Sequence, residues 1–141
     1  SERFARAIAS RKRMIKPLLL DQGIVAGLGN IYVDEALWRA GVHPLRQACD
    51  LGSDEVRALW RAIRSVLKRG IENGGTSLGN GMGNYSSVSG ARGSNQRSLD
   101  VYGRSGMPCK QCGEPIVRIV VAQRGTHLCP ACQPLLQQTT A

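Results

Sequence analysis

Two Cys-x-x-Cys pairs, Cys109/Cys112 and Cys129/Cys132, enclose sixteen residues. No other feature restricts the fold as tightly. Each pair offers two sulfurs from one tight turn, and four sulfurs at tetrahedral corners suit a zinc ion. Between the pairs, Ile116-Val117-Arg118-Ile119-Val120-Val121 reads as a β-branched strand. Gln123-Arg124-Gly125 reads as a turn, and Thr126 to Leu128 as the returning strand. A module of about thirty residues cannot bury enough surface to fold unaided. The metal would hold it together, with apparent binding on the order of 10–16 kcal/mol. One structural Zn2+ on Cys109, Cys112, Cys129 and Cys132 is therefore expected. Two disulfides, or a redox-active Cys-x-x-Cys, would use the same residues. The pairing of the knuckles favours zinc, and no charged-then-apolar leader suggests an oxidising compartment. Cys49 is left over and reads as a small buried apolar residue. His127 reads as strand packing, because four cysteines already fill the site.

The charge balance points to the partner. Nineteen Lys+Arg against ten Asp+Glu give a formal net charge of +9 over 141 residues. That favours a polyanion, nucleic acid first and an acidic membrane surface second. Aromatic residues are only 4%, so base-stacking platforms should not dominate. No run approaches the ~20 apolar residues of a membrane span.

Residues 1 to about 73 read as helical. Phe4, Ala7 and Ile8 have helical spacing, with Ser1 as a possible N-cap. Arg11, Lys12, Arg13 and Lys16 form a basic knot. Pro17 suits a first helical turn, which Leu18-Leu19-Leu20 continue until Gly23 as C′ residue. Gly27-Leu28-Gly29-Asn30 reads as a tight turn feeding a helix that ends near Ala40-Gly41. Asn30 is its expected N-cap, and Asp34-Glu35 are expected near its positive end. Ser53 should cap a long helix with an apolar stripe of Val56, Leu59, Trp60, Ile63, Val66 and Leu67. Arg57, Arg61, Arg64 and Lys68 line another face, which reads as a solvated face before an interface. Asn73-Gly74-Gly75 should stop it. A glycine-punctuated, Ser/Asn-rich stretch follows to about residue 100, a long loop of the kind that is functional or disordered.

Three features suit a phosphate. Glycines at 27 and 29 let the backbone approach a ligand, and a helix N-terminus offers free N–H groups. A plain tight turn between packed helices would read the same. Lys16 and the Arg11-Lys12-Arg13 run add charge upstream, although most such runs are merely solvated. Arg124 stands at the hairpin tip, where it could fork onto a phosphate or simply be an exposed turn arginine.

Ile15-Lys16-Pro17-Leu18-Leu19-Leu20-Asp21-Gln22, Val25-Ala26-Gly27-Leu28-Gly29-Asn30-Ile31-Tyr32, Asp34-Glu35-Ala36-Leu37 and Gly41-Val42-His43-Pro44 closely resemble bacterial formamidopyrimidine-DNA glycosylase. So do Gly74-Gly75-Thr76, Val101-Tyr102-Gly103-Arg104 and Arg124-Gly125-Thr126-His127-Leu128-Cys129-Pro130. The resemblance covers the carboxyl-terminal half of that family. It implies a mostly α fold with a small β zinc finger: a helix–two-turn–helix bundle followed by a zinc-bound β-hairpin. The implied division is 1–75 DNA-binding domain, 76–100 lesion-capping loop or linker, 101–135 four-cysteine zinc finger and 136–141 tail.

By the same resemblance, Lys16, Asn30 and Gly29 of the two-turn motif contact phosphates around a lesion, and Arg11 and Lys12 add a basic contact. Arg124 grips the phosphate beside the extruded nucleotide and assists the later elimination. The loop from about Gly81 to Gly93 would close over an everted oxidised purine. Extruding a base costs a few kcal/mol, so a phosphate clamp has a mechanical purpose. The implied partner is double-stranded DNA with oxidised bases or abasic sites, and the implied protein is a monomer of the bacterial cytoplasm, at the nucleoid. The intact enzyme would excise 8-oxoguanine and formamidopyrimidines and nick the abasic site by β,δ-elimination.

The departures matter too. Family members begin Pro-Glu, where the proline amine attacks the sugar. This chain begins Ser1-Glu2, in a helix-like context, so Glu2 is not the catalytic glutamate and the chain alone is expected to be inactive. Asn95 precedes Gln96 where the family often has an aromatic, which bears on lesion preference. Two alternatives stand beside this reading. One is an endonuclease VIII-type glycosylase for oxidised pyrimidines. The other is a non-catalytic zinc-ribbon adaptor that binds nucleic acid or protein.

Overall fold

The computed structural model describes residues 2–25, 27–72 and 99–135. Helices α1 (Glu2–Ala9), α2 (Ile15–Leu19), α3 (Asn30–Ala40) and α4 (Ser53–Glu72), with a 3-10 turn at Ala48–Asp50, form one body. Strands β1 (Val117–Val121) and β2 (Arg124–Leu128) form an antiparallel hairpin in a second. The expected class, mostly helical with a zinc hairpin, is the one observed. Ser1, the helix stop at Asn73-Gly74-Gly75, the glycine loop with its Gly81–Gly93 segment, and the tail from Gln137 lie outside the described residues.

The helical core follows the sequence periodicity. Phe4 and Ile8 of α1 are buried against Val56, Leu59, Ile63 and Val66 of α4, and the Phe4 and Trp60 rings lie 4.8 Å apart. Ile15, Leu18 and Leu19 of α2 complete the core with Val33, Ala36 and Leu37 of α3. Helix α3 is buried on more than one face, because α4 packs on one side and β2 on another. It stops at Gly41, whose φ of 74° is the left-handed C-terminal conformation that glycine adopts without a Cβ penalty.

The local details differ from the sequence reading at several points. Gly29, not Asn30, is the N-cap of α3, and Asn30 is its first helical residue. Asp34 and Glu35 are therefore beyond the first turn, and both are buried. Gly52, not Ser53, caps α4: its carbonyl accepts from Val56 N at 2.9 Å, and its N–H donates to Glu55 Oε1 at 2.9 Å. This is the reciprocal half of a capping box, which needs only the N3 glutamate. Helix α2 ends at Leu19 with Leu20 as a right-handed cap, three residues short of Gly23. In the hairpin, the turn is Ala122-Gln123, at φ 50° and 68°, rather than Gln123-Arg124-Gly125. Two consecutive positive φ values match the right-handed strand twist. Arg124 is consequently the first residue of β2, paired with Val121. Cys49 is half-buried rather than buried, beside the exposed Asp50.

Candidate nucleic-acid interface and metal centre

The four knuckle cysteines converge. All four Sγ atoms lie within 4.8 Å of one another, with Cys109–Cys132 at 3.9 Å and Cys112–Cys129 at 3.4 Å. Four thiolates at ~2.3 Å from one zinc would stand about 3.8 Å apart, so the donor set fits the ion. A disulfide needs sulfurs at ~2.05 Å, and none of these cysteines is so bonded. Each knuckle is preset by N–H groups aimed at sulfur: Gln111 N on Cys109 at 3.3 Å and Cys132 N on Cys129 at 3.4 Å. The Trp38 indole Nε1 of α3 adds a donor to Cys109 at 3.4 Å. Burial pushes the Cys109 thiol up, but the N–H donors from Cys112, Gln111 and Trp38 outweigh it and hold the thiol at about 6. Burial, then the crowding of other sulfurs, pushes Cys132 up. Four thiolates this close need a dication, and the site is a structural zinc centre. His127 takes no part in it.

The cysteine module is bolted to α3 by two adjacent carboxylates, Asp34 holding the hairpin and Glu35 the segment before it. Asp34 accepts from Lys16 Nζ at 2.7 Å and from the His127 backbone N at 2.9 Å, with His127 Nδ1 at 3.3 Å. Glu35 accepts from three consecutive backbone amides: Asp100 at 2.7 Å, Val101 at 2.8 Å and Tyr102 at 2.9 Å. Gln133 adds a third bolt, accepting from Cys129 N at 2.8 Å and donating to Val42 O at 3.0 Å. These residues escaped the sequence reading because their partners lie far along the chain. The available signal was an acidic pair set between Val33 and Ala36-Leu37, where an apolar face would be expected.

The predicted contact residues fall into three groups. Lys16 is fully buried; beyond Asp34 it donates to Thr126 Oγ1 at 2.8 Å and Gly125 O at 3.1 Å. Burial pushes its ammonium down, Asp34 pulls it back, and Arg124 nearby pushes it down again. Asn30, Gly29, Gly125 and Arg124 come together. Asn30 Nδ2 donates to Gly125 O at 3.2 Å, and the buried Asn30 Oδ1 has no hydrogen-bond partner among the described residues. Gly29 is exposed, and a Cβ there would meet nothing within 4 Å. Arg124 is exposed at the head of β2. Arg11 and Lys12, in contrast, sit exposed on the α1–α2 connector, which Cys49 N and Ala48 N pin by bonds to Arg11 O and Arg13 O. No described contact joins them to Asn30 or Arg124. Arg57, Arg61, Arg64 and Lys68 are exposed on α4.

Known proteins share this arrangement. Residues 1–81 match the formamidopyrimidine-DNA glycosylase H2TH domain, and residues 106–135 match the zinc finger found in FPG and IleRS. The formamidopyrimidine-DNA glycosylase of Roseiflexus sp. (strain RS-1) is 54% identical over 94% of this chain and 47% of its own length. That of Deinococcus radiodurans is 51% identical over 96% of the chain and 48% of its own. Among solved structures, Lactococcus lactis Fpg in complex with abasic-site DNA superposes with a TM-score of 0.86 at 41% identity, over 95% of this chain and 48% of that one. The Thermus thermophilus MutM (Fpg) protein gives 0.84 at 48% identity, over 94% and 49%. The chain thus spans about half the length of the curated relatives it matches. An H2TH match over more than half of the residues, with relatives aligned across nearly all of them, makes this chain a member of the formamidopyrimidine-DNA glycosylase family.

Proposed function

We propose that this chain is the DNA-gripping half of a base-excision-repair glycosylase. One observation carries the reading: the N-terminus of α3 and the head of β2, ninety-five residues apart, are joined where Asn30 donates to Gly125. Gly29 and Arg124 are then exposed on one edge, with the half-buried Asn30 between them. At that edge a phosphate can meet helix N–H groups, the Asn30 amide and a guanidinium together. The open space beside Gly29 leaves room for the sugar-phosphate backbone.

Lys16 has a different part in this reading from the contact its motif implies. Its ammonium is sealed inside the joint, so it acts on DNA through Gly125 and Thr126, by holding the hairpin at the right distance from Asn30. Arg124 touches the phosphate directly and assists the elimination. Arg11 and Lys12 supply charge at a distance, which raises affinity at low salt without defining the site. The longer protein excises oxidised purines and cleaves the abasic site. It works as a monomer at the nucleoid, with the nucleophile and the base pocket supplied outside this chain. No helix among the described residues is long and apolar enough to cross a membrane. A lesion panel on the longer protein separates this from the oxidised-pyrimidine branch.

The direct test is a titration of the zinc-loaded chain on an abasic-analogue duplex and an undamaged one, at two salt concentrations. Tighter binding to the abasic duplex, lost in Asn30→Ala and in Arg124→Ala, is the expected result. An adaptor without repair function would show no lesion preference and no loss in either variant.

A further inference from the structure

Arg118 has no part in anything described so far. It lies on β1, exposed, and no hydrogen bond or ion pair to another described residue engages it. The strand register pairs Arg118 with His127 and Val120 with Gly125, so these four share one face of the hairpin. Arg124 pairs with Val121 and belongs to the other face.

The Arg118 guanidinium is seated. It lies diagonally across the ladder over Gly125, where a Cβ would stand 2.6 Å from Nη2, 3.0 Å from Nε and 3.1 Å from Cζ. Diagonal cross-strand reach of this kind is within the range of a long side chain. Gly125 does not have a left-handed φ, so its backbone conformation does not demand glycine. What the missing side chain leaves is room for the arginine. The same residue's carbonyl accepts from Lys16 and Asn30. Gly125 therefore touches the helical body through its carbonyl and Arg118 through its open face. Val120, next to Arg118 on that face, is 62% exposed. A guanidinium held in place, with its donors unmet by any described residue, is a ready ligand for a phosphate.

We infer that Arg118 is a second DNA-backbone contact of the hairpin, on the face opposite Arg124, with Gly125 as its seat. A hairpin bearing a guanidinium on each face engages two phosphates and cannot roll about its own axis on the DNA. This rests on the DNA-binding reading above and adds a residue to it.

The test is a salt-dependent titration of the zinc-loaded chain on the abasic-analogue duplex. Arg118→Ala should lower the slope of log K against log salt by about 0.9, the release expected for one phosphate contact. Arg118→Lys should keep the slope and bind more weakly, since the charge stays and the fork is lost. Gly125→Ala should fold, because the nearest atoms its new methyl meets all belong to the flexible Arg118 side chain. It should weaken binding in the presence of Arg118 and have little further effect in Arg118→Ala. Arg118→Ala with the wild-type slope and affinity overturns the inference while leaving the DNA reading intact. So does a Gly125→Ala loss of equal size in both backgrounds. Failure of the wild-type chain to bind either duplex overturns both.

Discussion

Asp34 and Lys16 are the residues on which the joint turns. Two fully buried opposite charges cost several kcal/mol each to desolvate, and their attraction offsets this only with further hydrogen bonds. Here those bonds exist, from His127 to Asp34 and from Lys16 to Thr126 and Gly125. Removing one partner leaves the other charge buried and alone. Asp34→Ala should therefore destabilise the chain by about 3–5 kcal/mol, read as a lower urea midpoint. Lys16→Met with Asp34→Leu should cost less than either single change. A double-mutant cycle with no coupling between the two positions would refute that account. At Glu35 the consequence differs, because its partners are backbone amides. Glu35→Ala leaves three N–H groups without an acceptor at about 1–3 kcal/mol for each that stays buried. Glu35→Gln keeps one good acceptor and should fall between.

Among the elements, the zinc hairpin and α4 respond to different conditions. Chelation of the metal should melt residues 101–135 while the α1–α4 bundle retains its far-UV helical signal. Trp38 donates to Cys109 in the joint, so its fluorescence should change as the thiols become reactive. A bundle that unfolds together with the finger would show that the joint, not the core, holds it. At the start of α4, Arg46 donates to Glu55 at 3.3 Å through Nη2 and again through Nη1. The Arg46 bonds, aided by Gly52 N–H, hold the Glu55 carboxyl below its ordinary value of 4.5. A folded-state value below the unfolded one means stabilisation that is present above about 4.5 and fades as the pH falls past it. Glu55→Gln should lower the urea midpoint at neutral pH. The gap from wild type should close in acid, and a gap independent of pH would remove this carboxylate from the account. The sequence revealed elements of this kind because their causes are local. Cysteine spacing, apolar periodicity and a β-branched run all act within a few residues. Cap and turn details shifted by one or two positions, as with Gly29 for Asn30 and Ala122-Gln123 for the predicted turn. At the start of α3 Gly29 and Asn30 have nearly equal local merit as a cap, and at the hairpin Gly125 drew the predicted turn toward itself.

Across the whole molecule, the joint between bundle and hairpin was not legible. Asp34 and Glu35 read as dipole partners of a helix start because no local rule can see His127 or Val101. Lys16 read as a surface cation for the same reason: a basic knot implies solvent, and only the docked hairpin puts a lid over it. The resemblance brought the right residues together and left open which of them touch DNA and which support those that do. The order of the joint along the chain has a consequence for synthesis. Asp34 waits ninety-three residues for His127, and Glu35 waits sixty-six for Val101. At ribosomal rates the longer gap lasts roughly 5–20 s. During that interval the nascent helices carry two carboxylates whose hairpin-side partners do not yet exist, on a surface meant to be covered. The helical half should therefore emerge protease-sensitive around α3. It should harden in a single step once the second cysteine knuckle has left the ribosome and bound its metal. Stalled chains ending on either side of that knuckle, pulsed with protease, would reveal the step.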